Sequence, residues 1–238
     1  MTVHLRPATE ADLADIVDVS TAAFPPSVDA IVRRLFPGDL HHSEGVRKVR
    51  LARKSATFQL KSTVMMLAVD DNNGQKTVVG YSIWEIPVPE EEPVENPKGK
   101  HDDDDDDDDD DEDDERPKPP PMAQEGMDLA AFAELRRMLG EDVSKSFGER
   151  GTSDVWIVIQ MNAPALDSLG VHPQHQKKGI GKMLLDWGMK EAAKQGRDCY
   201  LVATPAGLPL YRAAGFEDVR IVDIFGTPHV SMRKRNAS

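Results

Sequence analysis

The sequence predicts an α/β (α+β) fold, in which short strands and amphipathic helices alternate and share a core. Three observations support this prediction. A strand pattern runs directly into a helix at the start of the chain, two apolar, β-rich runs follow in the middle, and a later strand enters a helix through a glycine-containing turn. With 238 residues, 39% of them hydrophobic, the chain is long enough for one or two domains and permits a single large core.

The chain begins with a strand and two helices. Residues 3–6 alternate between apolar and polar side chains as in a half-buried strand, and Thr9 and Asp12 form a capping box that opens a helix. Pro25 and Pro26 end this helix before a second amphipathic segment. Apolar residues recur at helical spacing in the two segments: Leu13, Ile16, Val17 and Phe24, then Val28, Ile31, Val32 and Leu35.

A basic stretch and a hairpin come next. We interpret the basic residues between Val46 and Lys61 as the solvated face of a helix, and a nucleic-acid patch is the less favoured alternative. Residues 64–69 and 77–86 are apolar, β-rich runs. The polar, glycine-containing loop 70–75 between them favours an antiparallel hairpin.

Composition changes sharply after the hairpin. Prolines bracket an unbroken run of fourteen Asp and Glu residues, 102–115, and few apolar side chains remain to bury. We therefore predict a disordered acidic insertion over residues 87–124. Helical spacing resumes at Leu129, so the insertion interrupts a domain whose N-terminal part is 1–86 and whose C-terminal part is 125–238.

The acidic run dominates the charge of the chain. The formal net charge is -13, but 28 acidic residues remain against 29 basic ones once the run is set aside, so the rest is close to neutral. A solvated, self-repelling segment is the default interpretation. Recruitment of a basic protein, such as a histone, or of a polyamine is the alternative. We expect no direct binding to nucleic acid.

Cysteine usage and the amino terminus predict the compartment. Cys199 is the one cysteine, which excludes an intrachain disulfide and a multi-cysteine zinc site, as in a reducing compartment. Residues 1–7 lack the apolar stretch of a secretion signal, and no apolar run is long enough to cross a membrane. We therefore expect a soluble, intracellular, cytoplasmic protein without membrane partners, and nuclear entry stays open.

A strand followed by a glycine-punctuated turn carries the clearest functional signal. Residues 165–171 form a strand pattern, residues 172–182 a turn, and apolar residues at every fourth position from Ile180 predict a helix that ends at Gly196. The unpaired N–H groups and the positive dipole end of such a helix suit a pyrophosphate, and glycines permit its close approach. A plain structural turn is the alternative. The dinucleotide fingerprint and the Walker A loop are both absent.

Two motifs in this region resemble the GNAT superfamily of acetyltransferases. Residues 176–181, Gln-Lys-Lys-Gly-Ile-Gly, match its [Gln/Arg]-x-x-Gly-x-[Gly/Ala] coenzyme A signature, and residues 211–216 are similar to its Tyr-x-x-x-Gly-Phe segment. The resemblance is tight over residues 165–218 and looser over residues 3–86. It implies a mixed, mostly antiparallel sheet, flanked by helices and splayed to admit acetyl-CoA. It also implies an N-acetyltransferase that uses acetyl-CoA as its cosubstrate, without a metal.

The resemblance further implies which residues hold acetyl-CoA. Backbone amides of residues 176–182 would hold the pyrophosphate, and the strand at 169–171 would pair with the pantetheine arm. A backbone N–H of that strand would polarise the thioester carbonyl. The implied cofactor-binding residues are Leu169, Gly170, Val171, Gln176, Lys177, Lys178, Gly179, Ile180, Gly181 and Lys182.

Direct attack of an amine on the thioester needs a proton donor for the sulfur and a base for the amine. Tyr211 matches the tyrosine that donates to the sulfur in this family, and packing of its ring is the alternative. Asp167 lies where some relatives place a base, and a satisfied polar group at a strand edge is the alternative. We interpret His172 as a turn element and Cys199 as a small core residue.

Two functions of different classes follow. The first is transfer of acetyl from acetyl-CoA to a primary amine, and whether this is a small amine, a polyamine or a protein amine stays open because variable loops form such pockets. The second is a catalytically weak adaptor with the same fold that binds basic partners through residues 102–115. The intact Gln176, Gly179, Gly181 and Tyr211 favour the enzyme.

Overall fold

Strands from both ends of the chain meet in the central sheet of the computed structural model, which describes residues 2–72, 74–87, 126–148, 151–152, 154–158 and 168–236. The strands are β1 Thr2–Pro7, β2 Thr63–Asn72, β3 Gln75–Glu85, β4 Val155–Ile157, β5 Leu169–Val171, β6 Asp198–Ala203, β7 Glu217–Ile224 and β8 Thr227–Lys234. Across the described residues they form one sheet in the order β1-β2-β3-β4-β6-β8-β7, and β5 pairs with β3. The β4–β6 pair is parallel and the other described pairs are antiparallel, which confirms the predicted mixed, mostly antiparallel sheet.

Helices cover both faces of this sheet. They are α1 Leu13–Ala23, α2 Ala30–Leu35, α3 Glu44–Phe58, α4 Leu129–Phe147, α5 Ile180–Lys194 and α6 Leu208–Ala213. Successive residues of β2 face opposite sides, so Leu67 packs in the cluster with α1 while Met66 and Ala68 pack with α5. The sheet is therefore buried on both sides where α1 and α5 lie.

Several predicted boundaries shift by a few residues. Phe24 caps the C-terminus of α1 and does not continue it, and Val28 lies before α2 with 73% of its surface exposed. Strands β2 and β3 remain paired as far as Asn72 and Gln75, so the loop predicted at 70–75 was too long. Local propensity marked the polar residues as a loop, whereas the ladder of backbone hydrogen bonds extends the strands through them.

The two parts of the chain on either side of the acidic insertion share one core. Leu35 of α2, Leu135 of α4 and Tyr200 of β6 belong to the same buried cluster. Of the predicted insertion, residues 88–124 lie outside the described residues, so its disorder stays a prediction. Among the helices that the structure describes, none is long and apolar enough to cross a membrane.

The interpretation of the basic stretch as a solvated helix face was wrong for three of its residues. Arg50, Arg53 and Lys54 of α3 are all buried. Each cation lies over an aromatic ring: Arg50 over Phe36 at 4.9 Å, Arg53 over Phe132 at 4.3 Å and Lys54 over Tyr81 at 5.0 Å. The ring faces attract the charges, which helps to stabilise the inward-facing side of this basic helix.

The predicted capping box is present in the short 3-10 turn Glu10–Asp12 that leads into α1, and it includes a third residue. Thr9 donates its N–H to Asp12 Oδ2 at 2.8 Å, and Arg6 Nη2 donates to Asp12 Oδ1 at 2.6 Å. The Arg6 guanidinium, aided by the Thr9 donors, holds the pKa of the Asp12 carboxyl well below its usual range. This carboxylate therefore ties β1 to the first turn of the helix.

We expect Asp12→Ala to lower the free energy of unfolding by about 1 kcal/mol at pH 7. The pKa of Asp12 is lowered by folding, so this stabilisation is present above about pH 4 and is lost as pH falls further. Urea unfolding at pH 7 and pH 3 measures it, with the exposed Asp15→Ala as a matched control on the same helix. A difference between wild type and Asp12→Ala that does not shrink at pH 3 contradicts this account.

Candidate functional site

The sheet opens into a wedge in its middle. Strand β4 runs parallel to β6, and the Val158 N–H still donates to the Tyr200 carbonyl at 3.0 Å. Beyond this point β5 pairs with β3, with Leu169 opposite Ser82, and not with β6. The described part of the chain thus leaves a gap between β5 and the second half of β6.

A cavity of about 740 Å³ occupies this wedge. One end is lined by β5, by the turn at residues 175–182 and by residues 204–211 at the start of α6. The other end is lined by the α1–α2 connection, by one face of α4 and by the β7–β8 hairpin. The size and the mixture of apolar walls with a few polar groups suit a ligand-binding site.

The turn before α5 contains two residues with left-handed backbone, one of them a glycine of the motif. Lys177 has φ 58° and Gly179 has φ 82°, both in the left-handed region that favours glycine. Met183 donates its N–H to the Gly179 carbonyl at 3.0 Å, so the helical ladder starts there. By helix geometry the N–H groups of residues 180–182 have no intrahelical acceptor, and they lie at the positive end of the helix dipole.

Hydrogen bonds fix this turn against β5. Gln176 Nε2 donates to the Val171 carbonyl at 3.0 Å, which joins the first residue of the motif to the last residue of the strand. Lys178 Nζ donates to the Gln174 carbonyl at 2.8 Å, and Lys182 forms an ion pair with Asp186. The ammonium groups of Lys178 and Lys182 thus have protein partners in this structure.

Nine of the ten cofactor-binding residues implied by the sequence line the cavity, and Lys178 is the exception. The nine are Leu169, Gly170, Val171, Gln176, Lys177, Gly179, Ile180, Gly181 and Lys182. Ile180 is only 2% exposed because its side chain packs in the core beneath α5. Its contribution to the cavity is therefore its backbone.

A side chain at position 181 would project into the wedge between β5 and α6. A Cβ on this residue would lie 3.4 Å from Leu210 Cδ2, 3.8 Å from Val171 Cγ2 and 3.9 Å from Leu169 Cδ2. These are ordinary contact distances, so folding does not require glycine here. The missing side chain keeps open the space between β5 and α6 instead.

Tyr211 of α6 also faces the cavity. The side chain is half-buried, and its ring meets Phe216 edge to face with centroids 6.0 Å apart. Burial raises the pKa of its phenol to about 12. The residue therefore packs the end of α6 and lines the wedge, and its role as a proton donor stays a prediction.

The other predicted polar residues differ in their placement. Asp167 lies outside the described residues, and its neighbour Ser168 lines the cavity. His172 caps the short turn after β5, where its Nδ1 accepts the Gln174 N–H at 3.4 Å. Cys199 is fully buried, and burial raises the pKa of its thiol to about 12, as expected of a core residue.

His229 is a cavity residue that the sequence analysis missed. His229 of β8 is 3% exposed, lines the cavity and has its Nδ1 2.9 Å from the Thr227 carbonyl. Because a carbonyl oxygen can only accept, Nδ1 is the donor in this contact. A single histidine in a C-terminal strand gave no signal, because only the sheet topology brings it beside residues 158–211.

A family model described as Acetyltransferase (GNAT) domain matches residues 141–218, which hold the turn, α5, β6 and α6. The chain contains a GNAT domain. The match begins within α4 and ends at the start of β7, so it covers both sides of the wedge. The family predicted from two short motifs is thereby confirmed.

A curated protein is also similar to part of this chain. It is the probable acyltransferase SID5 of Ajellomyces capsulatus, 34% identical over 62 residues. The shared stretch covers 26% of this chain and 46% of SID5. The chain thus spans about half the length of that curated relative.

Solved structures share the fold at low sequence identity. A GNAT-family protein of Desulfovibrio desulfuricans matches with a TM-score of 0.52 and 12% identity, over 99% of this chain and 100% of that one. An N-acetyltransferase of Staphylococcus aureus has a TM-score of 0.51 and 13% identity, over 99% of both chains. A Salmonella typhimurium protein solved with its cofactor acetyl-CoA has a TM-score of 0.50 and 16% identity, over 100% of this chain and 96% of that one. At these identities the likeness confirms the GNAT fold and nothing finer.

Proposed function

We propose that this protein is an N-acetyltransferase that transfers the acetyl group of acetyl-CoA to a primary amine by direct attack. The observation that carries the proposal is the wedge between β5 and β6. On the β5 side, the chain continues into the turn at Gly179 and Gly181. On the β6 side, it continues into α6, which carries Tyr211. A thioester laid along β5 would thus have a phosphate-binding turn at one end and a phenol near the reacting end.

The residues that line the cavity support acetyl-CoA as its ligand. We assign the pyrophosphate to the N–H groups of residues 177–182 at the start of α5, where the helix dipole favours an anion. The predicted range began one residue earlier, but the Gln176 N–H already donates to the Pro173 carbonyl at 3.3 Å. We assign the pantetheine arm to residues 169–171, which among the described strands pair with β3 only. The space in front of Gly181 lies between these two assignments.

The chemistry that acetyl-CoA supplies is an activated acetyl group. The amine nitrogen forms a bond to the carbonyl carbon, the carbon–sulfur bond breaks, and the products are an N-acetylamine and the thiol. One proton must leave the nitrogen and one must reach the sulfur. We assign the second proton to Tyr211, whose raised pKa keeps it protonated at neutral pH.

The proton from the amine needs an acceptor. Asp167 remains our sequence-based proposal for this role. His229 is an additional candidate, because its Nε2 can accept a proton and the residue lines the same cavity. The adaptor alternative and a basic partner for residues 102–115 stay predictions, since that segment lies outside the described residues.

We expect Gly181→Asp to abolish acetyl-CoA binding. Its carboxylate would enter the wedge and repel the pyrophosphate at the start of α5. Isothermal titration of acetyl-CoA into wild type and variant measures the change, and at least a hundredfold weaker binding is expected.

Two further variants control for folding and for size. Gly140→Asp places the same residue on α4, away from the cavity, where an added Cβ meets no atom within 4 Å. Gly181→Ala adds only a methyl group at an ordinary contact distance. Both should bind acetyl-CoA within a few-fold of wild type. Absence of binding by folded wild-type protein would refute the proposed function.

A further inference from the structure

We propose that the acceptor is a small primary amine with an apolar body, such as an alkylamine or arylalkylamine, and not a polyamine or a basic peptide. This inference rests on the proposed function and assigns the acceptor to the end of the cavity away from the phosphate-binding turn. That end is formed by the α1–α2 connection, the start of α2, one face of α4 and the β7–β8 hairpin.

Apolar side chains make up most of this acceptor end. Its apolar lining residues are Ala23, Phe24, Val28, Ala30, Ile31, Val32, Phe132, Leu135, Leu139 and Ile224. Two aromatic rings lie among them, and aromatic rings pack well against aliphatic or aromatic bodies. Each methylene group of a ligand that such a wall removes from water strengthens binding by about fourfold.

The charges at this end do not match a polycation. Among the described residues that line the cavity, Asp29 is the one acidic side chain, and it already caps α2 by accepting the Val32 N–H at 2.8 Å. Arg136 lines the same end, and Arg53 lies behind the Phe132 ring at 4.3 Å. A second or third ammonium group of a polyamine would therefore meet more positive than negative charge on the described walls.

The same walls favour the reactive form of a monoamine. An apolar environment disfavours the charged form of an amine and so lowers its pKa. The neutral form carries the lone pair that attacks the thioester. A monoamine needs to lose only one proton, whereas each additional ammonium group of a polyamine must be desolvated without taking part in the reaction.

The test is acetylation of a panel of amines at saturating acetyl-CoA, followed through release of the coenzyme A thiol. The probes are 2-phenylethylamine, spermidine and a short peptide rich in lysine and arginine. We expect kcat/KM for 2-phenylethylamine to exceed that for spermidine and for the peptide by at least tenfold. Acetyl-CoA binding is measured separately by calorimetry, so that the donor and acceptor sites are judged independently.

Two matched variants test whether the acceptor end of the cavity determines the preference for 2-phenylethylamine over spermidine. Val28 lines the acceptor end yet is 73% exposed, so Val28→Glu should fold and should place a carboxylate at the mouth. We expect it to lower kcat/KM for 2-phenylethylamine about tenfold and to raise that for spermidine, with unchanged acetyl-CoA affinity. Val219→Glu makes the same change at a 44% exposed position of β7 outside this cavity and should behave as wild type.

The outcomes separate the two proposals. If acetyl-CoA binds but spermidine or the peptide is acetylated as fast as 2-phenylethylamine, the acceptor class is wrong and the donor site stands. The same holds if 2-phenylethylamine is not acetylated, or if Val28→Glu leaves its kcat/KM unchanged. If folded wild-type protein does not bind acetyl-CoA, both proposals are overturned.

Discussion

Gly188→Ala is expected to lower the free energy of unfolding by about 3 kcal/mol, the upper part of the range for overpacking a core. Gly188 lies in the middle of α5, where the helix crosses β3. A Cβ there would lie 2.0 Å from Trp84 Cε2 and 2.1 Å from Cζ2, far inside contact distance. One methyl group must therefore displace either the helix or the indole.

The indole has little room to move. Trp84 is fully buried, its Nε1 donates to Ser82 Oγ at 3.2 Å, and its ring packs on Trp156 with centroids 5.9 Å apart. Moving α5 outward would in turn shift the turn at Gly179. We therefore expect the variant to lose acetyl-CoA affinity together with stability.

Urea or thermal unfolding followed by tryptophan fluorescence measures this effect. Gly140→Ala is the matched control, because it is also a helical glycine but an added Cβ there meets no atom within 4 Å. That substitution should raise stability by about 0.5–1 kcal/mol through helix propensity. A Gly188→Ala protein as stable as wild type would show that α5 does not approach β3 as closely as described.

This glycine shows what the sequence could and could not predict. Its place on the buried face of α5 followed from the four-residue spacing that begins at Ile180 and includes Leu184, and both of those residues are buried. The reason for glycine lies in Trp84, 104 residues earlier in the chain. No local pattern records which large side chain a helix will meet.

The prediction that the basic face of α3 is exposed was wrong for the same physical reason, a contact with a residue distant in sequence. Charge and spacing predicted exposure for Arg53, yet the guanidinium is buried against Phe132. Phe132 belongs to α4, on the far side of the acidic insertion. Burial lowers the pKa of Arg53 to about 10, which still leaves it charged at neutral pH. The contact with Phe132, which is distant in sequence, helps to stabilise this inward-facing cation.

In the candidate site, too, the sequence predicted the part that is formed locally and missed the part that is formed by distant segments. The donor end was predictable, because a strand, a glycine turn and a helix N-terminus are consecutive in sequence and form the phosphate-binding geometry locally. The acceptor end was not, because Val28, Leu135 and His229 come from three distant segments that meet only in the folded sheet. Tyr211 was found through a motif of the family, and its periodicity alone would have marked it as a packing residue.

Tyr211→Phe should lower kcat by about 10²-fold or more, the usual contribution of a positioned general acid. The substitution keeps the ring and its edge contact with Phe216, so stability and acetyl-CoA affinity should stay close to wild type. Only the proton for the departing sulfur is removed. Steady-state thiol release gives kcat, and calorimetry gives the affinity for acetyl-CoA.

Substitution of a second tyrosine, Tyr200, is the control that distinguishes a loss of proton donation from a loss of packing. The Tyr200 hydroxyl donates to the buried Asp142 and does not line the cavity. Tyr200→Phe should therefore lower stability, because it leaves a buried carboxylate without this donor, while kcat is unchanged. A Tyr211→Phe protein with wild-type kcat would assign Tyr211 to packing alone.

The pH dependence of the same pair of proteins tests the proton transfer directly. Burial raises the pKa of Tyr211 to about 12, so the phenol stays protonated and able to donate throughout pH 7–10. The wild-type kcat should therefore show no fall on the alkaline side of this range, and the ratio of wild type to Tyr211→Phe should be constant. A ratio that declines above pH 8 would mean that the acid ionises near neutrality, and a group other than a buried phenol would then have to protonate the sulfur.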